Sequence, residues 1–240
     1  MTKFNEHWKV EPHGALEPVC EGIWSVEGSI TMPLGKFPRR MTVIKLASGE
    51  LAIWSPVSLN ATEMQRLEAL GPISFLIVPN AGHRLDLKAW KDRYPEARVV
   101  APPSAANDVA EVAPVDDTYN VLNDPSVVFE RVAGTKADEF ALIITRADGA
   151  TLIINDILSS VSHPHGIGAN IMAHLFGFGV DHPQTSRLVR HMYVADPKAV
   201  ARQFREWAAI PRLRRLIVSH VDIIEEAPAQ TLEAAAKDLD

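Results

Sequence analysis

The sequence predicts an α/β protein arranged as a four-layer α-β-β-α sandwich. Two observations carry this reading. The 240-residue chain runs through one plan twice, a β-hairpin, then a helix, then a continuous apolar strand. Hairpins pair antiparallel strands, so they argue against the competing architecture, a single doubly wound parallel sheet. One half alone cannot cover both faces of its sheet. Two sheets stacked face to face with helices outside bury all of them.

In the first half, GIWSVEGSI opens the sheet. MTVIKL, the turn Ala47-Ser48-Gly49-Glu50 and LAIWSP then read as strand, turn, strand. Asn60, with Glu63 three residues on, resembles a capping box. Met64, Leu67 and Leu70 form the apolar stripe of the helix that follows, and Gly71-Pro72 ends it. ISFLIVP suits a buried strand. A short helix presents Leu87, Trp90 and Tyr94, with Asp86 as its N-cap and Pro95 as its stop, and Arg98-Val99-Val100 is a further strand. The polar stretch from Pro102 to Pro125 reads as a surface connection with one helical turn.

The second half repeats the order. FALIITR, Ala147-Asp148-Gly149 and ATLIIND form its hairpin. A His- and Gly-rich loop follows, then a helix around Thr185 to Met192. Asp196-Pro197 supplies an N-cap and first-turn proline for a helix that buries Val200, Phe204, Trp207 and Ala208. Pro211 stops it, RLIVSH is a buried strand, and an amphipathic helix begins near Pro228.

Composition narrows the function classes. With 47% hydrophobic residues the chain can build one core, and a single domain over residues 1–240 is expected. A net charge of -6 argues against a nucleic-acid backbone as partner. Cys20 is the sole cysteine, so no internal disulfide forms. The first residues, MTKFNEHWKVEPHG, carry no apolar signal segment, and no run of about 18 apolar residues predicts a membrane span. The cytoplasm and an unidentified small-molecule substrate or ligand are the expectations that remain.

Three apolar strands run into residues able to bind a metal. ISFLIVP leads to Asn80, His83 and Asp86, TLIIN to Asp156, and RLIVS to His220. Loops at strand ends are where α/β folds place function. One carboxylate and two imidazoles from separate strand ends are a competent donor set for zinc, iron or manganese.

The order and spacing of GIWSVEGSI, RRMTVIKL, LAIWSPVSL, LGPISFLIVPNAGH, YPEARVVAPP, the stretch from Asp138 to Asp156, and RLIVSH resemble the metallo-β-lactamase superfold, in a divergent branch of it. That superfamily carries His-x-His-x-Asp-His after a strand. Here the corresponding segment is Asn80-Ala81-Gly82-His83-Arg84-Leu85. Asn80 and Gly82 stand at the first two histidine positions, Arg84 replaces the aspartate, Leu85 replaces the last histidine, and His83 is out of register. The family's next histidine falls near Gly134-Thr135-Lys136, where none is present and Glu139 is the available substitute. Asp156 matches the bridging aspartate and His220 the final histidine.

The resemblance implies a metal-dependent hydrolase-like protein with an incomplete, at most mononuclear site held by His83, Asp156 and His220. The alternative is a metal-free relative that binds or scaffolds, with Arg84 or Lys136 occupying the space of the ion and lying against Asp156. His163 and His165, at i and i+2, point to opposite faces of an extended segment, so one metal would rarely take both, and either could line a pocket opening. His174, His182 and His191 read as helix and loop residues, and Cys20 as inert. Gly166-Ile167-Gly168 is too short for a phosphate loop. Trp24, Trp54, Trp90 and Trp207 read as core.

Overall fold

The computed structural model describes residues 4–32, 35–158, 193–220 and 222–240. The expected helix at 185–192, the loop histidines 163 and 165, and His174, His182 and His191 lie outside the described residues. The chain divides into two compact units, one of Met1–Ile30 and Pro38–Pro125, the other of Thr31–Phe37 and Ser126–Asp240.

The first unit is organised on a six-stranded sheet in chain order, β1 (Glu17–Cys20), β2 (Ile23–Met32), β3 (Gly35–Lys45), β4 (Leu51–Trp54), β5 (Ile73–Ile77) and β6 (Arg98–Val100). β3 and β4 form the expected hairpin, paired from Thr42 with Trp54 to Lys45 with Leu51. The chain then leaves through α1 (Ala61–Glu68) and returns as β5, parallel to β4. α2 (Leu87–Arg93) carries it to β6, parallel to β5. The core gathers Met41, Val43, Leu51, Ile53, Leu76 and Trp90, all buried. The Pro102–Pro125 stretch does more than connect. Its helix α3 (Ala106–Ala110) and flanks bury Ala105, Val109, Val112 and Ala113 in the same core.

The second unit holds β7 (Val127–Arg131), β8 (Phe140–Arg146), β9 (Gly149–Ile154) and β10 (Leu213–Val218), in the order β10-β9-β8-β7. β8 and β9 are the expected hairpin, paired from Leu142 with Ile153 to Arg146 with Gly149. Gly149 has φ +139, and a Cβ there would lie 2.5 Å from the Arg212 carbonyl oxygen, so this turn requires glycine. α4 (Pro197–Ala208) starts as expected, with the Asp196 carboxylate accepting from the amides of Lys198 and Ala199 at 3.0 and 3.2 Å. The strand β10 then returns parallel to β9, and α5 (Pro228–Lys237) follows. Phe204, Trp207, Leu216, Val218 and Leu232 are central to this unit's core.

Both units therefore contain the same device, a hairpin whose second strand receives a parallel neighbour after a helix. Two strands were not expected from sequence, β1 and β7. Each is the edge strand of its sheet, with only partial burial, so neither shows a continuous apolar run. Among the described residues no helix is long and apolar enough to cross a membrane.

Candidate functional site

The parallel pair β9 and β10 sets the first part of the site. Ile154 stands opposite Val218 at the last paired position. One residue on, Ser219 Oγ donates to Asn155 Oδ1 at 2.5 Å, both residues being buried. Two residues on, His220 Nε2 and Asp156 Oδ1 are 3.0 Å apart. Register alone delivers the two side chains to one sheet edge. The bond between them takes either a neutral or a protonated imidazole, in each case with the proton on Nε2.

Glu139 supports that edge. It lies just before β8, is 6% exposed, and its two carboxylate oxygens accept from the backbone amides of Asn155 at 3.1 Å and Asp156 at 3.2 Å. The chain leaving β9 has lost its sheet partners there, and the carboxylate replaces them. Glu139 was the expected substitute for a missing ligand. Its hydrogen bonds give it another task, fixing the backbone that carries Asp156.

Tyr193 belongs to the same unit and was not anticipated. Its phenol is held above its ordinary value, first by burial and then by the negative charge of Asp156 and Glu139. The Lys136 amide donates to the Tyr193 carbonyl at 2.6 Å, tying this residue to the loop before Glu139.

His83 sits in the first unit. The segment after β5 closes a single 3-10 turn over Ala81–His83, with Asn80 Oδ1 accepting from the Gly82 amide at 2.8 Å and the Asn80 carbonyl accepting from the His83 amide at 3.1 Å. Asn80 thus caps the turn that carries His83. His83 Nδ1 lies 2.8 Å from Ser55 Oγ. Ser55 directly follows β4 and has φ 54, a left-handed backbone that costs a non-glycine residue roughly 1–3 kcal/mol.

The expected N-cap role of Asp86 is corrected. Asp86 precedes α2, but its side chain makes no cap bond. It is fully buried, and Arg39 Nη1 lies 2.6 Å from its Oδ2 while Asn5 Nδ2 donates to Oδ1 at 2.7 Å. A buried carboxylate needs such partners, and a guanidinium satisfies it better than a helix start does. The pair anchors the chain just beyond His83. Arg84, also buried, donates from Nη1 to Glu111 at 3.2 Å. The capping box is half formed, because Asn60 Oδ1 accepts from the Glu63 amide at 3.0 Å, but Glu63 turns away. Its carboxylate accepts from the Leu16 amide at 2.7 Å, and the Asn60 amide donates to His13 Nε2 at 2.9 Å.

The profile of a family described as "Domain of unknown function (DUF4336)" matches residues 20–106, a span that includes Ser55 and His83 and stops short of Asp156. No curated protein matches the chain. Solved structures match along nearly its full length. The metallo-β-lactamase FIM-1 from Pseudomonas aeruginosa, in a mono-zinc form, is 11% identical with a TM-score of 0.63, over 98% of this chain and 98% of that one. A metallo-β-lactamase from Hirschia baltica is 12% identical with a TM-score of 0.62, over 93% and 98%. One from Erythrobacter litoralis is 11% identical with a TM-score of 0.63, over 93% and 96%. Identities this low speak to fold and not to chemistry. The two mixed sheets with their helices and this likeness agree: the chain has the metallo-β-lactamase-like α-β-β-α fold that its sequence predicts.

Proposed function

We propose that the protein is a metal-dependent hydrolase-like enzyme with one mononuclear site, held by His83, Asp156 and His220. The observation that carries the reading is the pairing of Asp156 and His220 just beyond the ends of two parallel strands, with Asp156 Oδ1 and His220 Nε2 3.0 Å apart. His83, at the end of the turn after β5, is the further donor that the sequence supplies. Two imidazoles with one carboxylate match the borderline chemistry of zinc, iron or manganese.

A bound divalent ion supplies Lewis-acid polarisation of a carbonyl or phosphoryl oxygen. The chain's own residues do the rest. Asp156 would supply negative charge to the ion, and Glu139 holds the backbone that carries Asp156. His220 would ligate through Nε2 only with that nitrogen free of its proton, so the bond it makes to Asp156 would be exchanged for the one to the ion. A second ion lacks donors at the superfamily's other positions, where Gly82, Arg84 and Leu85 stand. The chain working as a single domain, and a cytoplasmic location consistent with its one cysteine, belong to the same proposal.

The test uses protein stripped by chelator and reloaded with zinc, assayed on chromogenic carboxylic esters and phosphodiesters. Hydrolysis that vanishes on chelation, returns with zinc and is missing in Asp156→Ala is the expected result. No hydrolysis of either class after loading, or hydrolysis indifferent to chelation and to Asp156→Ala, overturns the proposal.

A further inference from the structure

We propose that Ser55 is a positioning residue for His83, fixing the ring and its tautomer so that Nε2 is the atom presented to a metal; this deepens the reading above and rests on it. Ser55 Oγ and His83 Nδ1 are 2.8 Å apart. Only two proton arrangements satisfy that contact in a neutral ring. Either Nδ1–H donates to the hydroxyl and leaves the Nε2 lone pair exposed, or the hydroxyl donates to Nδ1 and Nε2 carries the proton. The first arrangement alone can ligate, and a hydroxyl adapts to it by rotating. Histidines that bind metal depend on such an acceptor for their other nitrogen.

The backbone at Ser55 gives a second, independent reason. The residue before a proline avoids helical backbone, and Pro56 follows Ser55. Yet Ser55 has φ 54, where glycine would sit without cost. Pairing with β5 holds it there, since the Ser55 amide donates to the Ile77 carbonyl at 3.0 Å. β5 is the same strand whose end leads to His83, so one pairing fixes both partners of the hydrogen bond. Ser55 is 5% exposed, which limits competition from water for His83 Nδ1. A strained serine, buried and within hydrogen-bond reach of a partly buried imidazole, offers a hydroxyl where the backbone alone would favour glycine. Strain of this kind collects at functional sites.

Two variants separate hydroxyl from backbone. Ser55→Ala removes the hydroxyl and keeps the strained φ, and Ser55→Gly removes the hydroxyl while relieving it. Two readouts are taken on full-length protein, the 15N shifts of the neutral His83 ring without metal and the zinc dissociation constant by chelator competition. The parent shows a dominant Nδ1–H tautomer. In both variants the tautomers mix, and zinc binds about 10- to 100-fold more weakly. The parent tautomer and the parent affinity retained in Ser55→Gly overturn the proposal, whatever Ser55→Ala does to folding. A His83→Ala variant that binds zinc as tightly as the parent refutes His83 as a ligand, which is a failure of the functional reading. The tautomer measurement still decides the Ser55 claim in that case.

Discussion

Replacing Asp86 with alanine removes a fully buried carboxylate and leaves a buried cation behind. Arg39 gives it Nη1 at 2.6 Å, and the Arg39 side chain is 10% exposed. Its Nε and Nη2 are buried with no hydrogen-bond partner, so Asp86 is the anion on which its burial depends. Breaking a buried ion pair from one side costs about 3–5 kcal/mol. The Asn5 amide, 2.7 Å from Oδ1, loses its acceptor as well, which adds about 1 kcal/mol if the contributions were independent. Because the three groups share one network the losses overlap, and the expected total stays at about 4 kcal/mol. Equilibrium urea denaturation followed by tryptophan fluorescence measures it, since Trp8 and Trp90 lie in this unit. Arg39→Met alone strands the carboxylate and costs a similar amount. The double variant, which removes both charges, recovers most of the loss, because apolar replacement of a buried pair is often neutral. A loss below about 1 kcal/mol in Asp86→Ala, or costs that simply add in the double variant, refutes the reasoning.

Glu139→Ala strands two backbone amides at the end of β9, one of them on the fully buried Asn155. The expected cost is about 3 kcal/mol, together with weaker zinc binding through a loosened Asp156, read by denaturation and chelator competition. Glu63 is depressed below its ordinary 4.5, chiefly by the Leu16 amide and further by Arg66. A depressed carboxyl adds stability above its unfolded value and loses it as pH falls through its folded value. The stability gap between the parent and Glu63→Gln is therefore full well above pH 4.5 and closes below it; a gap that widens on acidification contradicts the assignment.

The parts of the fold legible in sequence were those written in local pattern. Gly49 and Gly149 sit in turns between β-branched runs, and both hairpins form at those turns. Edge strands β1 and β7 carry no such pattern, because solvent on one side removes the need for apolar residues. Asp86 shows the other limit. An aspartate ahead of a helix reads as a cap, and nothing local reveals that its partners are Asn5 and Arg39, far back in the chain. At the site, Asp156 and His220 were legible because each ends an apolar strand, and parallel register did the rest. The supporting groups were not. Glu139 bonds backbone amides across the β8–β9 hairpin, and Ser55 reaches His83 across a parallel strand pair, so their roles exist only once the sheets form.

The proposed function requires one metal ion per chain, bound by His83, Asp156 and His220. Native mass spectrometry of the protein purified without chelator and then equilibrated with zinc counts ions per chain directly. One tightly held ion is expected in the parent and none in Asp156→Ala or His220→Ala, with each variant still folded by circular dichroism. Two tightly held ions in the parent, none at all, or one ion that persists in Asp156→Ala would contradict it.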